Sequence, residues 1–486
     1  MSEPPPVPPT LARQASRAFV WSILNTVVSR FGPLAIGIVL ARVLGPNEFG
    51  VFAVAMVSLV AVLSFNELGV SLAIVRWREE PDAIAPTVNA ISVAASALLT
   101  GLLVVTAPWI STALGDVRAT PVVQVMAISI LISGIVASPA AVLQRRFMQK
   151  ERMIIDQVSS WLGAILSLVC ALAGLGAMSL AIGRIGGSLA AAVLFLRWSP
   201  IPYRFGWDRR VARHLFSFGL PLAASSAVLF ASGYADQVVT GSRLGSHALG
   251  FYLLAFNLAS WPVAIFSQPL RSVAPATFAR LQGDPLKMSA AMAGVVGVLS
   301  AVALPTCALI SGASRPIVGF IYGTAWLPAA AALAWLAGQA ALRIWFELAY
   351  DYLVVLGRSK AVLLIQLCWF LMSVPALLVS AHYFGMPGVA AAQFVVSLVV
   401  VLPLYAGVLH RSGIRIGALA KAVGLPLGAS LGLGAAVWWT SSAVSNVLLA
   451  CLISGVLALG VLAALLLPRR QMLMKLWHGR DNVVEP

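Results

Sequence analysis

Apolar stretches long enough to cross a bilayer follow one another along this chain with only short polar breaks. A spanning helix needs roughly 20 predominantly apolar residues. The pattern predicts about fourteen such helices, at approximately 18–41, 49–74, 86–110, 121–143, 154–174, 177–196, 215–240, 249–270, 288–311, 326–349, 361–382, 388–409, 418–440 and 446–467. The connections are short. The longest, near 197–214 and 271–287, are too small to hold a soluble catalytic domain. The expected fold class is an all-α polytopic membrane protein. Met1 to Arg17 is rich in proline and has neither an apolar core behind a basic start nor a small-residue cleavage site. It therefore reads as a disordered tail, not a secretory signal.

Composition agrees with the pattern. The chain is 60% hydrophobic and 10% charged, where soluble chains carry about 25% charged residues. Its net charge of +16 would suggest nucleic-acid binding in a soluble protein, but the placement of the cations gives another reading. With a cytoplasmic N-terminus, 25 of the 32 Lys and Arg fall on the inner side. Four (Arg42, Arg118, Arg243, Arg315) fall outside, and three (Arg30, Arg184, Arg343) lie within helices. This positive-inside bias implies a multi-pass protein with both termini cytoplasmic. The cations on that side meet anionic lipid heads, and nucleic acid is not expected as a partner.

Two short segments recur. LGPNEFGVFAVA (Leu44 to Ala55) is echoed by LGSHALGFYLLA (Leu244 to Ala255), and GAMSLAIG (Gly176 to Gly183) by GMPGVAAA (Gly385 to Ala392). Six helices separate the members of each pair, which implies a duplication whose halves share one orientation, as in transporters built from parallel repeats. Prolines inside the helices, among them Pro33, Pro139, Pro305 and Pro375, suit kinked helices around a cavity.

Charges inside a membrane are costly, and each is a candidate for function. Arg30 lies in the first helix, Arg184 in the sixth, Arg343 in the tenth, and Arg271 closes the eighth. An arginine facing an aqueous cavity offers a planar fork of donors that matches phosphate oxygens. The alternative is pairing with a carboxylate, and Glu347 and Asp351 follow Arg343 on one helical face. The acids Glu67, Asp236 and Glu347 could couple transport to protons or sodium ions, or could neutralise a neighbouring arginine. Four scattered cysteines and five separated histidines give neither a disulfide framework nor a metal site. GxxxxGK[ST], GxSxG and HExxH are all absent, and GRIGGS (Gly183 to Ser188) reads as a small-residue packing face. No enzyme activity and no bound cofactor are expected.

SRFGPLAIGIVLARVLGPNEFGVFAVA (Ser29 to Ala55) resembles the opening of Wzx-type polysaccharide exporters, which are lipid-linked oligosaccharide flippases. They share a superfamily with the MATE exporters and the lipid II flippase MurJ. NELGVSLAIVR (Asn66 to Arg76), QRRF (Gln144 to Phe147), ADQVVTGSRLGSHALGFYLLA (Ala235 to Ala255) and YGTAWLPAAAAL (Tyr322 to Leu333) extend the resemblance to exporters of exopolysaccharide and colanic-acid type. It implies an N-lobe at 18–196, a cytoplasmic linker at 197–214, a C-lobe at 215–409, a helix pair at 410–467 and a basic tail at 468–486. It further implies alternating access across a bacterial inner membrane, with an undecaprenyl-pyrophosphate-linked repeat unit as substrate. A polysaccharide polymerase and glycosyltransferases are the implied partners. Arg30 would line the cavity, and Asp236 belongs to the ADxxxxGxxLG motif. Arg184, Arg271 and Arg343 have no clean counterpart in the basic cluster of MurJ. The competing readings are a MATE-like exporter coupled to protons or sodium, an O-antigen polymerase or ligase, and a non-transporting scaffold. The first would want an acidic N-lobe cavity, and the second a large outer loop.

Overall fold

The computed structural model describes residues 11–66, 74, 81–280, 285–444 and 446–467. Thirteen α-helices make up nearly all of them: α1 (Leu11–Asn66), α2 (Pro81–Ala113), α3 (Thr120–Arg145), α4 (Gln149–Leu172), α5 (Met178–Trp198), α6 (Arg209–Arg280), α7 (Pro285–Gly312), α8 (Ser314–Ile321), α9 (Ala329–Val355), α10 (Ser359–Val396), α11 (Leu402–Arg411), α12 (Ile416–Ala443) and α13 (Val447–Leu466). Among the described residues, eleven segments are long and apolar enough to cross a membrane. Three of these contain a glycine with non-helical dihedrals: Gly45 in α1, Gly245 in α6 and Gly385 in α10. Dividing each at its glycine turns eleven segments into fourteen, consistent with the count expected from hydropathy. A π-helical turn (Ser397–Val401) joins α10 to α11 directly before Pro403, where the ring removes one N–H and crowds the preceding turn.

Large apolar side chains point outward along these helices. Leu98, Leu371, Leu431 and Leu459 are exposed, as lipid-facing residues must be. Hydroxyls inside the helices donate back to the carbonyl four residues earlier, as Ser454 does to Ala450 at 2.7 Å and Thr306 to Val302 at 2.8 Å. No water competes for them in hydrocarbon, so this bond answers the need of each hydroxyl locally.

The chain forms two compact units. The first comprises Met1–Leu44, Ser58–Pro108 and Arg118–Ser226. Its core includes Ile74, Ile84, Val88, Val142, Val211 and Leu215. Helices α4 and α5 approach until backbone meets backbone: a Cβ on Gly187 would lie 2.6 Å from the Ser159 carbonyl oxygen. This is the packing face expected of GRIGGS. The strand-free segment 199–208 is tied to α2, with the Asn89 amide donating to the Arg204 carbonyl at 2.8 Å and the Asp208 N–H to the Thr87 hydroxyl at 3.0 Å. The second unit comprises Gly45–Val57, Trp109–Val117 and Ala227–Pro486. One of its core clusters brings together Val263, Leu304, Leu342, Phe346, Tyr352 and Tyr405.

The backbone carries the mark of duplication. Among the described residues, eight of the ten with left-handed φ recur in pairs: Gly45 (70°) with Gly245 (85°), Gly115 (91°) with Gly323 (95°), Phe147 (56°) with Gly357 (70°), and Gly176 (55°) with Gly385 (62°). The members of a pair lie 200 to 210 residues apart, a drift that short insertions explain. The third pair matches bond for bond. In one copy N–H groups donate Arg146 to Val142, Phe147 to Gln144 and Met148 to Leu143; in the other, Leu356 to Tyr352, Gly357 to Val354 and Arg358 to Leu353. Both are helix C-terminal turns that call for glycine.

Phe147 is the exception among these eight positions, and its side chain is 85% exposed. A left-handed conformation costs a side-chain-bearing residue about 1–2 kcal/mol, whereas glycine gives back about 0.5–1 kcal/mol in chain entropy. Phe147→Gly is therefore expected to stabilise the protein by somewhat under about 1 kcal/mol, and Gly357→Phe to destabilise it. Unfolding midpoints of the two variants in detergent check both signs.

Candidate functional site

The two copies of the LGxxxxG turn come together inside the second unit. A Cβ built on Gly250 would meet the Gly50 Cα and N at 2.9 Å, and one on Gly50 would meet the Ser246 carbonyl oxygen at 2.5 Å. A Cβ on Gly115 would lie 2.7 Å from the Gly245 Cα. Only glycine permits so close an approach of main chain to main chain. Beside this seam the Ser246 hydroxyl donates to Asp116 Oδ2 at 2.8 Å. Trp326, 1% exposed, receives Phe49 and Phe251 edge-on, with ring centroids 5.3 and 5.7 Å away. Apolar rings thus close over a seam made of backbone.

Asp236 lies one helical segment away in sequence and is 1% exposed. Its Oδ2 accepts from the Tyr252 hydroxyl at 2.7 Å, and its Oδ1 from the Gln237 N–H at 2.9 Å. The Gln393 side chain also bonds to it, beside the π-helical turn. Three donors converge on one buried carboxyl, an arrangement that could hold a proton or a small cation. Among the described residues no group of three or more metal-ligating side chains gathers.

Arg343 Nε contacts Glu347 Oε1 at 3.2 Å, one turn along α9. The pairing anticipated from their spacing is formed. Arg343 remains 45% exposed and borders a small notch of about 30 Å³ lined by Phe256, Ser260, Leu336 and Gln339. Arg184 lies on α5, and its buried Nε has no hydrogen-bond partner among the described residues. Glu67 lies outside the described residues. Arg30 and Arg271 fall on α1 and α6, and their side chains too lie outside the described set. Of the seven candidates, then, Arg343 and Glu347 are brought into contact and Asp236 occupies a separate network. Sequence reasoning passed over Tyr252, Gln339 and Gln393, because a screen for intramembrane charge does not see neutral polar side chains.

The sequence profile of one family, described as Polysaccharide biosynthesis protein, matches residues 39–331. The succinoglycan biosynthesis transport protein ExoT of Rhizobium meliloti (strain 1021) is 27% identical over 330 residues, 66% of this chain and 65% of that protein. The lipopolysaccharide biosynthesis protein WzxC of Escherichia coli (strain K12) is 25% identical over 315 residues, 63% of each. The chain thus spans slightly under two thirds of the length of these relatives. Among solved structures, the lipid II flippase MurJ in an inward closed conformation superposes with a TM-score of 0.76 at 14% identity. That match covers 93% of this chain and 100% of the other, and it establishes a shared fold.

A side chain at Gly250 has only backbone to displace, so Gly250→Val should destabilise the protein by about 3 kcal/mol, the upper range for overpacking. Gly455→Ala, with nothing within 4 Å, should be neutral or slightly stabilising. Tyr252→Phe should cost about 1–3 kcal/mol by leaving the buried Asp236 carboxyl short of a donor. Denaturation of the purified variants in one detergent ranks the three, and Gly250→Val unfolding like Gly455→Ala would refute the tight seam.

Proposed function

We propose, from the premise that the chain belongs to the family of polysaccharide biosynthesis proteins, that it is a lipid-linked oligosaccharide flippase. Its substrate in this reading is an undecaprenyl-pyrophosphate-linked repeat unit for surface polysaccharide or exopolysaccharide. The unit moves from the cytoplasmic to the periplasmic face of a bacterial inner membrane, with no covalent change. The observation that carries the reading is the family match across 39–331, which takes in both glycine turns, Asp236 and Trp326.

The two six-helix lobes, 18–196 and 215–409, rock about a central cavity, with both termini cytoplasmic. The Gly50–Gly250 seam and its Trp326 cover act as the outer gate. They hold while the substrate enters from the cytoplasmic side and part to release it. Arg30 takes the pyrophosphate, whose charge a bilayer would otherwise reject, through the fork of donors that suits phosphate oxygens. Arg184, Arg271 and Arg343 extend the cationic path, with Glu347 holding Arg343 in place. Asp236 couples the cycle to protons or sodium ions, its donors from Tyr252 and Gln393 ordering the carboxyl for uptake and release. Glycosyltransferases supply the substrate and a polymerase consumes it.

Complementation of a flippase-deficient strain tests the role of Arg30. Arg30→Ala should abolish surface glycan at normal expression, and Arg30→Lys should retain part of it, because lysine keeps the charge without the fork. Full activity of Arg30→Ala would overturn the assignment. In vesicles, Asp236→Asn should leave the protein folded while transport ceases to respond to an imposed proton or sodium gradient. A gradient response equal to that of the native chain would remove Asp236 from coupling.

A further inference from the structure

Three aromatic side chains stand out from one end of the first unit: Phe147 is 85% exposed, Phe205 64% and Trp207 66%. The elements that carry them share cores. Leu143 and Met148, on either side of Phe147, gather with Phe195 and Trp198 at the end of α5. Val142 clusters with Ile201 and Val211, which bracket segment 202–210. Both stretches are held firmly. Segment 199–208 is tied to α2 through Asn89 and Thr87, and the Gly206 N–H donates to the Pro86 carbonyl at 3.2 Å. The Tyr203 ring meets Phe205 edge-on, with centroids 5.5 Å apart. Phe147 is turned outward by a left-handed backbone where the second copy has Gly357. A phenyl ring in water gains nothing from that conformation, and backbone strain of this kind clusters at functional sites.

Cations surround the rings. Arg146, Lys150 and Arg204 are exposed. The acids within these stretches are Glu151, half-buried, and Asp208. Asp208 is turned to the start of α6, where its Oδ1 accepts from the Arg210 and Val211 N–H groups at 2.7 and 3.3 Å. Depth is set by the helices. The spans of α3, α4 and α5 end or begin at Arg145, Gln149 and Trp198, which puts this end of the unit at the edge of the hydrocarbon. Single exposed apolar side chains are ordinary, but three aromatics in one cation-rimmed patch mark an interaction surface.

We propose that this end of the first unit is a binding surface for anionic phospholipid of the cytoplasmic leaflet, the side to which the positive-inside bias assigns it. Phe147, Phe205 and Trp207 insert among the glycerol and upper acyl groups, and Arg146, Lys150 and Arg204 pair with the phosphates. Burial in the interface offsets the conformational cost at Phe147. The rings favour lipid over an acidic protein, because aromatic side chains at the ends of spanning helices lie where the head groups are. The surface serves the chain whatever cargo it carries.

Native mass spectrometry of the full-length chain, taken from micelles doped equally with phosphatidylglycerol and phosphatidylcholine, tests the surface. Phosphatidylglycerol should be retained in preference. A variant carrying Arg146→Gln, Lys150→Gln and Arg204→Gln together should lower that retention at least about fivefold, the worth of a single basic residue at an anionic surface. Melting of Phe147→Gly separates insertion from packing. It should exceed the native chain in phosphatidylcholine nanodiscs and lose that advantage in phosphatidylglycerol nanodiscs. Equal retention of the two lipids by the native chain, unchanged retention by the triple variant, or the same stabilisation by Phe147→Gly in both lipids would overturn the surface. Displacement of the lipid by polyglutamate would make it a protein-docking face and overturn it too.

Discussion

The hydrocarbon interior of a membrane supplies no hydrogen bonds, and every peptide group inside it must be satisfied along its own helix. The rest of this architecture answers that demand. Helices account for the spans, hydroxyls such as those of Ser454 and Thr306 bond back into their own helices, and the chain reverses through compact glycine turns. Where α4 and α5 meet backbone to backbone, they do so through residues without side chains, at Gly163, Gly183 and Gly187. Side-chain bulk is reserved for the lipid face and for cores such as that around Phe346 and Tyr405.

Against this background an unsatisfied or elaborately satisfied polar group stands out. Asp236 gathers three donors within a single unit, and Gln339 presents an oxygen with none. The first is a buried carboxyl whose burial its hydrogen bonds offset only in part, and the second an acceptor that no described protein group answers. Arg343 and Glu347 lie between these extremes. They form an ordinary helical ion pair whose exposed face still offers donors. Polar groups in this protein are thus graded by how completely the fold answers them.

Much of the fold was legible in the order of residues. Hydropathy gives the spans, because a bilayer admits little else. LGPNEFG and LGSHALG could be matched by eye because a left-handed turn demands glycine at set positions, and Gly45 and Gly245 share one backbone conformation. The contact of Gly50 with Gly250 could not be read, since similarity between two turns does not say that they touch. Nor could the place of Trp326 between Phe49 and Phe251, residues brought to it by two distant helices, α1 and α6. Phe147 was invisible for the opposite reason: nothing in its neighbours announces a left-handed phenylalanine where the other copy has glycine. Asp236 and Arg343 were found through their charge, whereas Gln339 and Gln393 escaped because an amide in a membrane looks innocuous until its partners are counted.

The seam at Gly50 and Gly250 is built of main chain, so its shape does not depend on which side chains surround it. Two surfaces of this kind have no rotamers to rearrange when they part and none to find again when they rejoin, and they mate in one register only. In the proposed cycle, substitutions in the lining that meets the substrate can then accumulate while the closure stays as it was. A scaffold of this design can change what it carries without relearning how to shut.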